Sequence, residues 1–272
     1  MNAQTAAPAA PVRAASIAVG NDPAVQVLLR LADTCLVHAQ RLGEWCGHAP
    51  VVEEDLALTN IALDLIGQAR ALYTHAGRLC GRDGPAWDED QLAFLREERD
   101  YRNLTLAELP RGDFAFTMLR VLLLAAWQQP LWRALQASSD AELAAIAAKA
   151  LKEARYHQQH AADWVVRLGD GTEESERRLR AALAQAWPYV AELFEDDAAD
   201  AAAEARGLAP RPSTLRAEWD AEVGAVFAAA GLSAPKTGSF RSTGRHGVHT
   251  EHMGYLLATL QHLQRSYPGG AW

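Results

Sequence analysis

The chain has 272 residues, and 55 of them are Ala and 35 are Leu, against only 18 Ile and Val together. Ala and Leu favour helices, and the β-branched residues that fill strands are scarce, so sandwich, barrel and parallel-sheet folds are disfavoured. The net charge of −8 argues against nucleic acid as a main partner. A hydrophobic content of 49% excludes a chain too polar to fold.

Residues 1–22 form an Ala/Pro/Gln-rich stretch that lacks a basic start followed by a Leu-rich core. We read it as a disordered leader rather than a signal peptide, preceding one helical domain over 23–272. No apolar run approaches the roughly 20 residues a membrane span needs. The three cysteines Cys35, Cys46 and Cys80 form no CxxC pair, as expected of reduced thiols in the cytoplasm.

The first predicted helix covers 24–46, with a stripe of Leu28, Leu31, Cys35, Ala39, Leu42 and Cys46. Both cysteines on that stripe are expected to be inert core thiols. The second helix covers 51–79. Glu53, Glu54 and Asp55 suit its positive end, and residues 56–72 are apolar nearly all round, as in a buried helix. Asp88 and Gln91 resemble a capping box opening a charged helix over 88–106. Asp113 is placed to cap a helix over 114–137, in which Pro130 predicts a kink. Ser139 and Glu142 read as a capping box for a regular helix whose stripe runs from Leu143 through Ala154 and His157 to Leu168. Further helices are predicted over 173–194, 213–230 and 248–266, with a Gly/Ser/Lys/Arg loop over 233–247. Long helices joined by short turns imply an all-α antiparallel four-helix core with covering helices.

Such a core raises the question of a di-metal site, which needs about four carboxylates and two His, with two helices each supplying Glu-x-x-His. His157 lies on the core stripe, but the residue three before it is Ala154. Glu153 is rotated by about 100° from that face and is not expected to share a site. Asp64 is the best inward acid of the second helix, and its i+3 partner is Gly67. The 114–137 helix carries no carboxylate at core positions such as Leu122 and Ala125, and the first helix offers Glu44. Two acids and one His do not neutralise two iron ions in a dry core, so His157 is expected to be a hydrogen-bonded core histidine. The line Asn60, Asp64, Gln68 is either the trace of a lost metal site or the solvent edge of its helix.

His249 and His252, with His246 nearby, are a second candidate, for one zinc ion, but the spacing and the missing Glu do not match the zincin pattern. Lys236, Arg241 and Arg245 in the Gly/Ser loop form a third candidate, for a phosphate-bearing ligand such as a CoA thioester or for an acidic partner surface. The neutral alternative for that loop is a solvated surface segment.

Four segments together resemble a known family. They are residues 40–50 (QRLGEWCGHAP), 55–70 (DLALTNIALDLIGQAR), 152–157 (KEARYH) and 247–252 (GVHTEH). They are similar to the C subunits of bacterial phenylacetyl-CoA 1,2-epoxidase complexes, a monooxygenase step of phenylacetate catabolism. The resemblance covers the chain from about Val25 onward. It implies a ferritin-like fold and a non-catalytic structural subunit that pairs with a homologous A subunit. In such a complex the A subunit holds the di-iron centre, and a reductase component carries FAD and a [2Fe–2S] cluster and draws on NADPH. A homodimer of the isolated chain is a further expectation, while the charge and the lack of a long apolar run point away from nucleic acid and membrane as partners. On this resemblance the ligand positions fall at Glu44, Asp64, Gly67, Ala125, Ala154 and His157, only three of which have ligand-type side chains. A di-metal oxidase active on its own, with unusual ligands, is the competing reading.

Overall fold

The computed structural model describes residues 17, 19–82, 84–236 and 238–270. The expected leader lies outside the described residues at 1–16 and 18. Ile17 is buried against the core.

Four long helices form the core: α1 (Pro23–Gly43), α2 (Val52–Cys80), α5 (Phe114–Leu135) and α6 (Ala141–Gly169). The segments between α2 and α5 include the short helices α3 (Glu89–Phe94) and α4 (Thr105–Glu108). After α6 come α7 (Glu173–Ala186), α8 (Ala198–Ala205), α9 (Arg216–Ala229), α10 (Glu251–Leu260) and α11 (His262–Ser266). Among the described residues, extended pairing is limited to one isolated bridge between Thr243 and Val248. The all-α fold expected from the composition is what forms.

Helices α1 and α2 make one hairpin, and α5 and α6 make the other. Contacts across the core fix the directions. Trp45 on the α1 side meets Thr117, while Cys35 meets Gln128. Gln68 meets Glu153, and Asp64 meets His157. Each core helix therefore runs antiparallel to its two neighbours. α5 is buried on nearly all sides, because α7 and α9 pack on the flank away from α1. It passes through Pro130 without ending.

The ends of the helices follow from local chemistry. The Asp22 carboxylate accepts from Ala24 N at 2.8 Å, with Pro23 in the first turn of α1. Asp113 caps α5 by accepting from Phe116 N, and Asp88 and Gln91 form the expected capping box on α3. The cap of α6 differs from the expectation. Asp140, not Ser139, accepts from Glu142 N and Leu143 N. The Ser139 hydroxyl instead donates to Arg206 O, tying the α5–α6 loop to the end of α8.

The expected 88–106 helix is interrupted, and a buried charge pair explains why. Arg96 and Asp33 are both fully buried and bonded to each other. Arg96 Nε donates to Leu92 O at 2.6 Å and its Nη1 to Asp100 O at 3.0 Å, so it gathers a turn rather than extending a helix. Asp33 also accepts from Tyr73 Oη and from Arg102 N. The backbone is thereby drawn across α1 and α2. Close approach helps here too, since a Cβ on Gly77 would sit 1.8 Å from Trp87 O. The expected 173–194 helix becomes α7 followed by a 3₁₀ segment over Trp187–Phe194, where Pro188 lacks an N–H for the α ladder. The expected 248–266 helix starts only at Glu251 and breaks at Gln261, whose side chain donates to Arg96 O at 3.1 Å. α1 ends at Gly43, which leaves Cys46 exposed in the following turn rather than in the core.

Helix α2 also departs from the expectation of burial all round. Val52, Leu56, Leu63 and Ile66 face outward and are exposed. The apolar run serves two faces, one toward the core and one away from it.

Candidate functional site

A polar cluster occupies the middle of the bundle. His157 on α6 is buried, and its Nε2 lies 3.0 Å from Asp64 Oδ2 on α2. Burial pushes the His157 imidazole below its ordinary value, and the Asp64 hydrogen bond opposes this without reversing it. The next layer is a chain of amides around a thiol. Gln68 Nε2 donates to Glu153 Oε2 at 2.9 Å, Cys35 Sγ donates to Gln68 Oε1 at 3.4 Å, and Gln128 Nε2 donates to Cys35 Sγ at 3.6 Å. Burial, reinforced by the Glu153 charge, holds the Cys35 thiol protonated.

The position on α1 that faces this cluster is His38, not Glu44. His38 is buried, and its imidazole is pushed well down, first by burial and then by the charge of Arg120. Glu44 lies six residues further along, about 9 Å down the axis. There its carboxylate pairs with Arg41 at 2.6 Å and its carbonyl accepts from Arg111. Glu44 is therefore part of an end-of-helix ion pair and not of the central cluster.

Glu153 corrects the sequence reading in the other direction. It joins the cluster because Gln68 reaches across from α2 to meet it. The line Asn60, Asp64, Gln68 turns inward along α2: Asn60 is exposed, Asp64 half-buried and Gln68 buried. Its upper end is a solvent edge and its lower end is satisfied inside the core.

A pair of iron ions does not fit this donor set. Ala125 and Ala154 are buried and have no donor atoms, and Gly67 is exposed with open space where a Cβ would stand. Of the remaining ligand-type residues, Glu44 points elsewhere, and Asp64 and His157 bond to each other. Among the described residues, no group of three or more His, Cys, Asp or Glu is arranged to hold a metal ion. No chemical step is assigned to iron in this chain.

The two other candidates are also resolved by geometry. His249 is fully buried as a side chain. Its Nδ1 lies 2.7 Å from Glu108 Oε2 and its Nε2 lies 3.2 Å from Tyr101 O. Both ring nitrogens are thus used, and His252 stands apart and partly exposed. In the basic loop, Arg245 is buried. Its Nη2 donates to both Asp200 oxygens, at 2.7 and 2.8 Å, and its Nη1 to Glu195 O at 2.5 Å. Arg241 pairs with Glu195 at 3.0 Å and donates to Gly238 O and Phe240 O, while Lys236 is exposed. The three cations do not converge on one anion site as the loop composition suggested, because Arg245 is committed to holding the loop onto α8.

The fold and this interior define a class: a ferritin-like helical bundle with Ala125 and Ala154 buried in its interior and Asp64 paired with His157. A Synechococcus protein with aldehyde deformylating oxidase activity shares the fold. Its TM-score is 0.51 at 18% identity, over 78% of this chain and 88% of that one. The family profile described as phenylacetic acid catabolic protein matches residues 7–272, and the chain belongs to that family. It is 50% identical over 244 residues to the C subunit of the 1,2-phenylacetyl-CoA epoxidase of Escherichia coli strain K12, covering 90% of this chain and 97% of the relative. Among the described residues, no helix is long and apolar enough to cross a membrane.

Proposed function

We propose that this chain is a non-catalytic structural subunit of a phenylacetyl-CoA ring 1,2-epoxidase in aerobic, cytoplasmic phenylacetate degradation. It pairs with a homologous catalytic A subunit and stabilises it. The di-iron centre belongs to that partner, and FAD, the [2Fe–2S] cluster and NADPH belong to the reductase component. The observation that carries this reading is the interior of the bundle. Alanine stands at 125 and 154, and Asp64 and His157 satisfy each other. A bundle that kept such a fold while losing donors at those positions retains what a partner can lean on and lacks what oxygen chemistry needs. The 50% identity to the C subunit of an epoxidase supports the complex and the pathway.

Co-expression tests the reading. The catalytic subunit is produced with and without this chain, and its soluble yield and phenylacetyl-CoA turnover are measured. Both are expected to fall sharply when this chain is omitted. Equal yield and turnover would overturn the proposal, as would oxygen-dependent turnover by this chain alone with about two bound irons.

A further inference from the structure

A cavity of about 50 Å³ lies between α1, α5 and the chain that follows α8. Its floor is apolar, made by buried Leu31, Leu131 and Leu135 and the indole of Trp127. Half-buried Arg30, Arg102, Ala209 and Pro210 line it where it meets the surface. At roughly 10–15 Å³ for each water-sized group, it has room for about three or four of them.

The polar wall is cationic. Arg30, Arg102 and Arg245 line the cavity, and Asp200 is the one acid among its lining residues. Arg30 donates to Asp200 at 2.8 Å and to Asp197 at 3.1 Å, and Arg245 holds Asp200 from the other side. Those two cations and two carboxylates balance. Glu192 spends its oxygens on Arg245 N, Thr105 N and the Ser242 hydroxyl, and it does not line the cavity. Two donors remain. Arg30 Nε is buried and meets no acceptor among the described residues. Arg102 donates through Nη1 to the carbonyls of Arg99 and Tyr101 alone, with no carboxylate bonded to its guanidinium. Burial disfavours the Arg102 charge; Asp33 and Asp100 oppose this, and Arg96 and Arg30 reinforce it. A guanidinium does not shed its proton, so the charge stays and calls for a counter-charge. Water alone would satisfy the N–H groups, but it would leave that charge uncompensated and wet the leucine floor.

We propose that this cavity binds a short aliphatic monocarboxylate, the size of acetate or propionate. Its carboxylate sits between Arg30 Nε and Arg102, and its alkyl end lies against Trp127 and Leu131. Charge-assisted hydrogen bonds at one end and apolar burial at the other are the two features such a molecule matches. This inference does not rest on the proposed role in an epoxidase, and either can fail alone.

Calorimetry and saturation-transfer NMR on the full-length chain, at fixed ionic strength, test it with sodium propionate as the probe. Saturable binding in the millimolar range is expected. Propionamide, which has nearly the same shape without the charge, is expected to bind about tenfold more weakly. Phenylacetate is too large for the cavity and is expected not to displace propionate. Arg102→Gln removes the uncompensated charge and Ala209→Leu blocks the mouth. Each is expected to weaken propionate binding by about tenfold or more while keeping the helical circular-dichroism spectrum. Both positions are partly exposed, and if either variant fails to fold, the other and the propionamide comparison still decide. The proposal is overturned by absence of saturable propionate binding, by equal affinity for propionamide, by displacement with phenylacetate, or by a folded variant that binds propionate as the wild type does.

Discussion

His157 at the centre of the bundle and His249 at its edge each face a carboxylate, and they are driven in opposite directions. For both, burial disfavours the charged ring. At His249 the Glu108 hydrogen bond and charge outweigh burial and raise its value, whereas at His157 burial prevails over Asp64 and lowers it. The carboxylates explain the difference. Glu108 is fully buried, while the Asp64 side chain is 38% exposed and solvent weakens its field. His249 also has acceptors at both nitrogens, which only the doubly protonated ring can satisfy. A nearby acid therefore does not by itself make a histidine charged; the burial of that acid decides. The edge pair is a latch between the segment carrying Tyr101 and Glu108 and the start of α10. At the centre, His157 is a neutral filler.

The comparison breaks most readily at the centre. Ala154 is completely buried, so Ala154→Glu places a carboxylate in a packed interior, one turn from the neutral ring of His157. The expected loss is at least about 3 kcal/mol in urea denaturation, from desolvation and overpacking together. Added ferrous iron is expected to recover none of it, because Gly67 and Ala125 still lack donors. Recovery of stability with iron would mean that the remaining residues can be drawn into a ligand set.

Next in size is the latch. Glu108 accepts from Asn103 Nδ2 at 2.8 Å and Thr250 N at 2.6 Å as well as facing His249. Glu108→Gln keeps the shape but removes the counter-charge to a buried imidazolium. A loss of about 2–3 kcal/mol is expected. Asp64→Asn makes the same exchange at the centre. There it is expected to cost only about 0.5–1 kcal/mol, because His157 is already neutral and the new amide can still hydrogen-bond to it. Equal losses at the two sites in denaturant titrations would remove the distinction between them.

The contrast also bears on what can be read from sequence. The core helices are legible because apolar residues recur by three and four, and His157 sits on such a stripe. His38 sits on one too, three residues after Cys35 and four before Leu42. It is easily passed over because a search for carboxylates does not stop at it. Glu153 is hidden for another reason: an angular argument treats side chains as fixed spokes, but the long amide of Gln68 comes across to meet it. The interrupted stretch over 88–106 depends on Asp33, some sixty residues earlier, and no local pattern there carries that information. Arg245 likewise reads as a loop cation until Asp200 is brought beneath it by α8. Side-chain type and periodicity are local, whereas the pairing of charges is a property of the closed fold.

The smallest effect is the most direct probe of sign. His249 has a folded value above the ordinary 6.5, so its contribution to stability is complete below 6.5 and is lost as pH rises through the folded value. His157 and His38 have folded values below 6.5, so the neutral ring is favoured and stability is lost as pH falls from 6.5 toward those values. The wild-type melting temperature should therefore decline on both sides of a maximum near neutrality. The variant His249→Gln should lose the decline on the alkaline side, and His157→Gln should soften the acidic one. Each change is expected to be about 1 kcal/mol or less over one pH unit, since a tenfold change in proton affinity corresponds to about 1.4 kcal/mol. Melting curves of the three proteins at half-unit intervals from pH 5.5 to pH 8.5 (roughly the range over which histidines titrate) separate the two slopes. If His249→Gln steepened the alkaline decline instead, the charged latch would be the wrong description of the edge. If His157→Gln left the acidic side unaltered, the neutral centre would have to be assigned to His38 alone.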